Sequence, residues 1–161
     1  MRFLFVILPL IAVLVSPAMA GGKRDNDINI VFHMETGAGE NPKMVFEQLV
    51  AGQKRFFRRV PEISTRDVAS FKPFPSQTGE GYGVLLKLKK GSETRLGAIT
   101  ASNLSRWMVA RVNGRVVDGV QIDKQITDGE LVIWKGLSAS EVKMMDMEFP
   151  RIGEKKPRGK D

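Results

Sequence analysis

Hydrophobic positions change their period several times along this chain, and each change marks an element. The clearest stretch is residues 106–149. Two β-prone apolar runs, at 107–112 and 116–122, meet at Asn113-Gly114. Asn-Gly between such runs is a strong hairpin signal, because both central residues of the turn must accept positive φ. Residues 131–134 follow the Thr127-Asp128-Gly129 turn as a further strand. Ser138 and Glu141 then stand at capping-box spacing, and Val142, Met145 and Phe149 follow at helical spacing, which predicts a closing helix.

Upstream, Ile28, Ile30 and Phe32 alternate with Asn29, Val31 and His33, the period of a strand. Residues 44–50 fit strand or helix, with strand preferred, and 53–60 (QKRFFRRV) read as an edge strand. Ser64 and Asp67 frame one short helical turn. Residues 71–75 carry Pro73 and Pro75, which exclude a central strand and leave an irregular or edge segment. Val84, Leu86 and Leu88 give another strand. Ser92 is placed to cap a helix running to about Ser102, with Leu96 and Ile99 inward and Gly97 weakening it. Asn103-Leu104-Ser105, a glycosylation sequon in form, reads as the turn into the next strand. Strand 84–88, this helix and strand 106–112 are expected to form a β-α-β unit. The whole reads as an α+β domain with a ferredoxin-like βαβ-β-β-α core, two helices on one face of an antiparallel or mixed sheet, and additional N-terminal strands.

The N-terminus has a different logic. Arg2 precedes an apolar run at 3–15, Ser16 and Pro17 break it, and Ala18-Met19-Ala20 is an A-x-A cleavage site. Residues 1–20 therefore read as a signal peptide, too short in its apolar part to span a bilayer, which takes about 20 residues. Residues 21–27 become a flexible lead-in and 28–152 a single domain, with N-terminal strands in 28–62. The charged stretch 153–161 (GEKKPRGKD) is a tail expected to be disordered. The expected location is the periplasm or outside the cell, with no integral membrane segment after the signal is removed.

Composition narrows the chemistry. In 161 residues there is no Cys, which excludes disulfides, thiolate nucleophiles, Cys-ligated metals and a lipoprotein anchor. The formal net charge of +7 favours acidic partners or surfaces, chiefly through association rate. His33, the only histidine, could share a strand face with Glu35 as an acid–base or metal pair, though a structural histidine is the preferred reading. The glycines of 37–42 (GAGENP) lack phosphate-loop spacing. Asp118, Asp123 and Asp128 could hold a metal for a small carboxylate-based hydrolase, but each lies in or beside a turn, where Asp serves backbone donors. No cofactor and no metal is expected.

The most suggestive surface is the run Lys54, Arg55, Phe56, Phe57, Arg58 and Arg59, in which cations surround two rings. It fits contact with a protein or an acidic envelope surface. A polyanion or nucleic acid is the weaker functional alternative, and the preferred reading of the run itself is a plain edge strand whose rings fill the core while its charges face water. Trp107, Val109 and Arg111 share a second, partly apolar face that would meet either the N-terminal strands or a partner.

Residues 63–149 also carry a family likeness. An apolar strand (84–88) leads into a helix ending in Thr100-Ala101-Ser102-Asn103. A strand with a turn glycine at Gly114 and a short partner strand (116–122) come next. Ile126 and Gly129 precede a short strand, and Ser138-Ala139-Ser140-Glu141 opens a helix. In this order the stretch resembles the head part of the first periplasmic domain of the protein-export membrane protein SecD, or of its SecDF fusion. That family often has a proline in the second hairpin strand, where Gly119 or Val120 stands here. The resemblance implies a non-enzymatic domain that contacts translocating protein outside the membrane, without the membrane helices of the full transporter. The expected function is thus a non-catalytic exported interaction module. Its partner would be an extracytoplasmic protein or envelope surface, and homo-oligomerisation stays open.

Overall fold

A computed structural model describes residues 27–154. The expected signal peptide and most of the charged tail lie outside these residues. Nine strands and two α-helices follow in the order β1 (Ile30–Thr36), β2 (Val45–Val50), β3 (Gln53–Arg58), β4 (Ile63–Ser64), a 3-10 turn (Thr65–Asp67), β5 (Val68–Pro75), β6 (Tyr82–Leu88), α1 (Lys90–Ser102), β7 (Trp107–Val112), β8 (Arg115–Gln121), β9 (Glu130–Leu137) and α2 (Ala139–Glu148).

The strands form two sheets. The larger has the order β2-β3-β1-β7-β8, with β4 beside β1; the smaller has the order β5-β6-β9. Every pairing between these strands is antiparallel. The α+β class and the order of elements agree with the sequence reading, but the expected β-α-β unit does not. β6 pairs with β5 and β9, whereas β7 pairs with β1 and β8, so α1 carries the chain from one sheet to the other. The reason lies at the N-terminus: five register pairs from Ile30↔Val112 to Met34↔Met108 give β7 to β1. Residues 84–149 alone hold no competitor for that edge.

Both sheets and both helices close over one core. Ile30, Phe32, Met34, Met108 and Val112 come from the larger sheet and Phe71, Val84, Leu86 and Ile133 from the smaller; Leu96 and Met145 come from the helices. Where the sheets meet, β8 and β9 run side by side but are bridged by a side chain. Asp118 accepts from Trp134 N at 2.7 Å and from its own neighbour, Gly119 N, at 2.9 Å. Both strands are irregular here, with register shifts between Ala110 and Arg111 in one pairing and between Tyr82 and Val84 in the other. Gly136 sits at the seam with φ +89°, and a Cβ there would lie 2.8 Å from Val117 O. Only glycine tolerates both conditions.

Several local expectations hold. Asn113 and Gly114 have φ of 49° and 82°, the mirror-image turn expected of Asn-Gly. Ser138 and Glu141 make their capping box. Residues 71–75 are an edge strand within β5. The first helix starts earlier than expected, at Lys90, with Lys89 at its N-cap. Ser92 lies inside the first turn because its hydroxyl is used elsewhere, donating to Asp67 Oδ1 at 2.8 Å.

Candidate interaction surface

The basic–aromatic run falls on β3, which is not the edge strand expected: β2 flanks it on one side and the end of β1 on the other. The hairpin β2–β3 turns at Ala51 and Gly52, with φ of 50° and 75°. It joins β1 only at Glu35↔Phe57 and Thr36↔Phe56, so it can lean over the face of the larger sheet that points away from the main core. A second, smaller core forms beneath it from Val50, Phe57 and Val109, with Phe46, Trp107 and Val116 packed around them.

This second core divides the candidate residues. Phe57 and Val109 are both 0% exposed, so neither can touch a partner. Phe57 stacks on Phe46 at 5.8 Å between ring centroids. Arg55 faces inward as well. Its guanidinium lies 5.2 Å from the centre of the Trp107 ring and reaches Glu35 Oε1 at 2.8 Å, while Glu35 Oε2 accepts from Trp107 N at 2.7 Å. Arg111 stacks on Phe46 at 5.3 Å. The Trp107–Val109–Arg111 face is therefore met by the protein's own N-terminal hairpin, one of the two outcomes foreseen for it. The strand alternation explains why: Arg55 and Phe57 share a face, and that face is the covered one.

The opposite face of β3 presents Lys54, Phe56 and Arg58. Lys54 pairs with Glu47 at 2.9 Å across the hairpin. Arg58 lies between Glu40 at 3.3 Å and Glu62 at 3.6 Å. Glu40 is held below its usual carboxylate range by the Thr36 hydroxyl and by Arg58. Arg59 is exposed, and no carboxylate pairs with it among the described residues. Much of the charge on this run is thus neutralised within the domain, and Arg59 carries the part that is not. The sequence could not show this, because the acids come from 35, 40, 47 and 62.

His33 is 4% exposed and structural. Its Nδ1 donates to Arg58 O at 2.8 Å, its ring meets Phe46 edge-on at 5.0 Å, and Nε2 has no partner among the described residues. Burial pushes its pKa down, Arg111 adds to this, and the bond to Arg58 O opposes it. Glu35 is already committed to Arg55 and Trp107, so the His33–Glu35 pair has no free carboxylate for a reaction. The three aspartates do not converge either. Asp118 bridges the sheets and Asp128 accepts from Glu130 N at 3.0 Å. Among the described residues no group of three Asp, Glu or His side chains could hold a metal ion.

Sequence reasoning placed Asp67 in a short helical turn with Ser64 but missed its tie to α1. The residue is 6% exposed. Burial alone would raise its pKa, but Ser64 N at 2.8 Å, Ser92 Oγ at 2.8 Å and Arg95 at 2.7 Å hold it below the usual range. It fastens the turn before β5 to the first turn of α1. The residues that carried the family likeness are anchors of the same kind: Thr100 Oγ1 accepts from Ile126 N at 2.9 Å, Asn103 Nδ2 donates to Ile99 O at 2.8 Å, and Gly129 O accepts from Leu88 N at 2.9 Å.

What these features define, over the described residues, is a two-sheet α+β fold that presents a charged hairpin. The fold is similar to part of solved SecDF structures. A solved structure of SecDF, described as a membrane component that enhances protein export, superposes with a TM-score of 0.55 at 17% identity, covering 77% of this chain and 64% of that one. A second, SecDF in a Super-membrane-facing form, gives 0.54 at 16% identity, covering 78% of this chain and 19% of that one. The chain thus spans less than two thirds of either. No protein-family model and no curated protein matches it.

Proposed function

We propose that this chain is a non-catalytic, extracytoplasmic interaction module acting in protein export, with a protein or envelope surface as its partner. The observation that carries this reading is the fold likeness to SecDF over more than three quarters of the chain. With β8 set beside β9 across Asp118, the order β5-β6-β9-β8 reads as a ferredoxin-like sheet whose chain starts one strand early, and β1 to β4 are the addition. The domain limits are read as 28–152, with residues 1–20 as a cleaved signal.

Within the module we assign the contact to the β2–β3 hairpin, through Lys54, Phe56 and Arg58 on its outer face and exposed Arg59 just past the end of β3. An exposed cation beside a half-covered ring supplies both steering and an anchor. Arg59→Glu is the informative change, because Arg58 belongs to a network with Glu40 and Glu62. Melting temperature should stay within a degree or two, while recovery of crosslinked envelope partners falls several-fold. Full recovery of partners by a stably folded Arg59→Glu protein would place the contact elsewhere.

A further inference from the structure

Strand edges expose unpaired backbone groups, and proteins block them with prolines, bulges, charges or covering segments. Three edges here are blocked in visible ways. β5 carries Pro73 and Pro75, and the chain after α2 covers it: Phe71 N donates to Pro150 O at 3.2 Å and Ile152 N to Phe71 O at 2.8 Å. β8 is bulged and meets β9 through Asp118, and the bond from Trp134 N uses a donor of β9 itself. Among the described residues the outer edge of β2 has no proline, bulge or covering segment, and its one charge, Glu47, is paired with Lys54 across the hairpin. Its sequence is VFEQLV, without proline, lysine or arginine, and its register with β3 runs unbroken from Val45↔Arg58 to Val50↔Gln53.

The direction of its backbone groups follows from the ladder. Arg59 N donates to Met44 O at 2.8 Å, so residue 44 bonds toward β3, and so do 46, 48 and 50. The N–H and C=O groups of Val45, Glu47 and Leu49 therefore point outward. Of these, Leu49 O accepts a long 3.3 Å bond from the Gln48 side chain, which an incoming N–H would replace. Leu49 is 63% exposed and Met44, just before the strand, 50%.

We propose that this edge pairs with the same edge of a second copy, antiparallel about a two-fold axis through Gln48. An axis normal to the sheet keeps each side chain on its face, so residues of equal parity must oppose one another and the axis passes through a residue. Centred on Glu47, it would set two carboxylates face to face. Centred on Gln48, it sets Phe46 against Val50, Gln48 against Gln48, and the stem of Glu47 against exposed Leu49. The Glu47 charge is already paired with Lys54 at 2.9 Å. Met44 then meets the Gly52 end of the partner's turn, where nothing lies within 4 Å of a Cβ position. Two outward residues per strand, Glu47 and Leu49, exchange both backbone bonds with their opposites. This inference does not rest on the proposed function.

The protein has no cysteine, so single-cysteine variants of the full chain report directly. Opposed residues in a non-hydrogen-bonded pair lie about 4.5 Å apart between Cα atoms, within disulfide reach. Gln48→Cys should oxidise to a covalent dimer at least tenfold faster than Glu47→Cys or Lys143→Cys on exposed α2. Equal rates overturn the proposal. Sedimentation equilibrium supplies the second arm. Leu49→Glu, which opposes Glu47 of the other copy, should weaken the dimer at least tenfold, whereas Leu49→Lys, opposing the same carboxylate, should keep or tighten it. Equal weakening by both, or a wild-type protein that stays monomeric while an added strand-forming peptide binds β2, overturns it.

Discussion

At the scale of single residues, most polar groups of this domain that are buried hold elements together. Asp67 is the plainest case, with four donors drawn from two segments far apart in sequence. Asp67→Ala leaves those donors unpaired and should cost about 2–3 kcal/mol, measurable by urea unfolding. The carboxylate's lowered pKa sets the pH sense. The unfolded chain binds the proton first, so Asp67 contributes stability above about pH 4, and that contribution is lost as pH falls further. Asp67→Asn should flatten the acid limb of the stability curve. His33 adds an earlier slope of the same sign. Above about pH 6.5 it is neutral in both states; below that the unfolded state protonates first, and stability falls until the lowered folded pKa is passed. Unchanged acid limbs after either substitution would show that other groups govern the response.

At the scale of elements, turns carried the reading where they used residues chosen for their backbone freedom. Asn113-Gly114 announced its hairpin because few other pairs accept two positive φ values. The turn of β2–β3 has the same conformation but is built from Ala51-Gly52, so it gave no comparable signal. An alanine at φ 50° is strained, by about 1–2 kcal/mol on the scale of left-handed backbone. Ala51→Asn, an amide that tolerates this region, should therefore stabilise the protein by about 0.5–1 kcal/mol in thermal or urea unfolding. A destabilised variant would mean that the methyl group of Ala51 contributes more by packing than it loses by strain. The expected helix start at Ser92 was wrong for a related reason: a serine near a helix start is a cap only if its hydroxyl turns back to the helix, and Asp67 claims this one. Residues 71–75 were legible because Pro73 and Pro75 restrict a strand to an edge whatever its partners.

At the scale of the whole molecule, order was legible and pairing was not. Periodicity located strands and helices because each depends on neighbours a few residues apart. Sheet membership depends on partners such as Ile30 and Val112, which no local pattern links. The candidate surface failed in the same way. The run 54–59 looks uniformly basic and aromatic, yet one face of β3 is closed over Val109 and Trp107 and the other is neutralised in part by Glu40, Glu47 and Glu62. What survives is a narrower patch around Arg59. Its contact should weaken as salt rises toward 1 M, where screening acts within about 3 Å.

The central claim is that this hairpin face, in the native envelope, touches another macromolecule. A photoreactive side chain placed at Arg59, with one at Lys143 on the exposed side of α2 as reference, tests it directly. The account predicts discrete adducts from position 59, reduced by high salt, and few from 143. Equal adducts from both positions, or none from 59 in a folded protein, would contradict it.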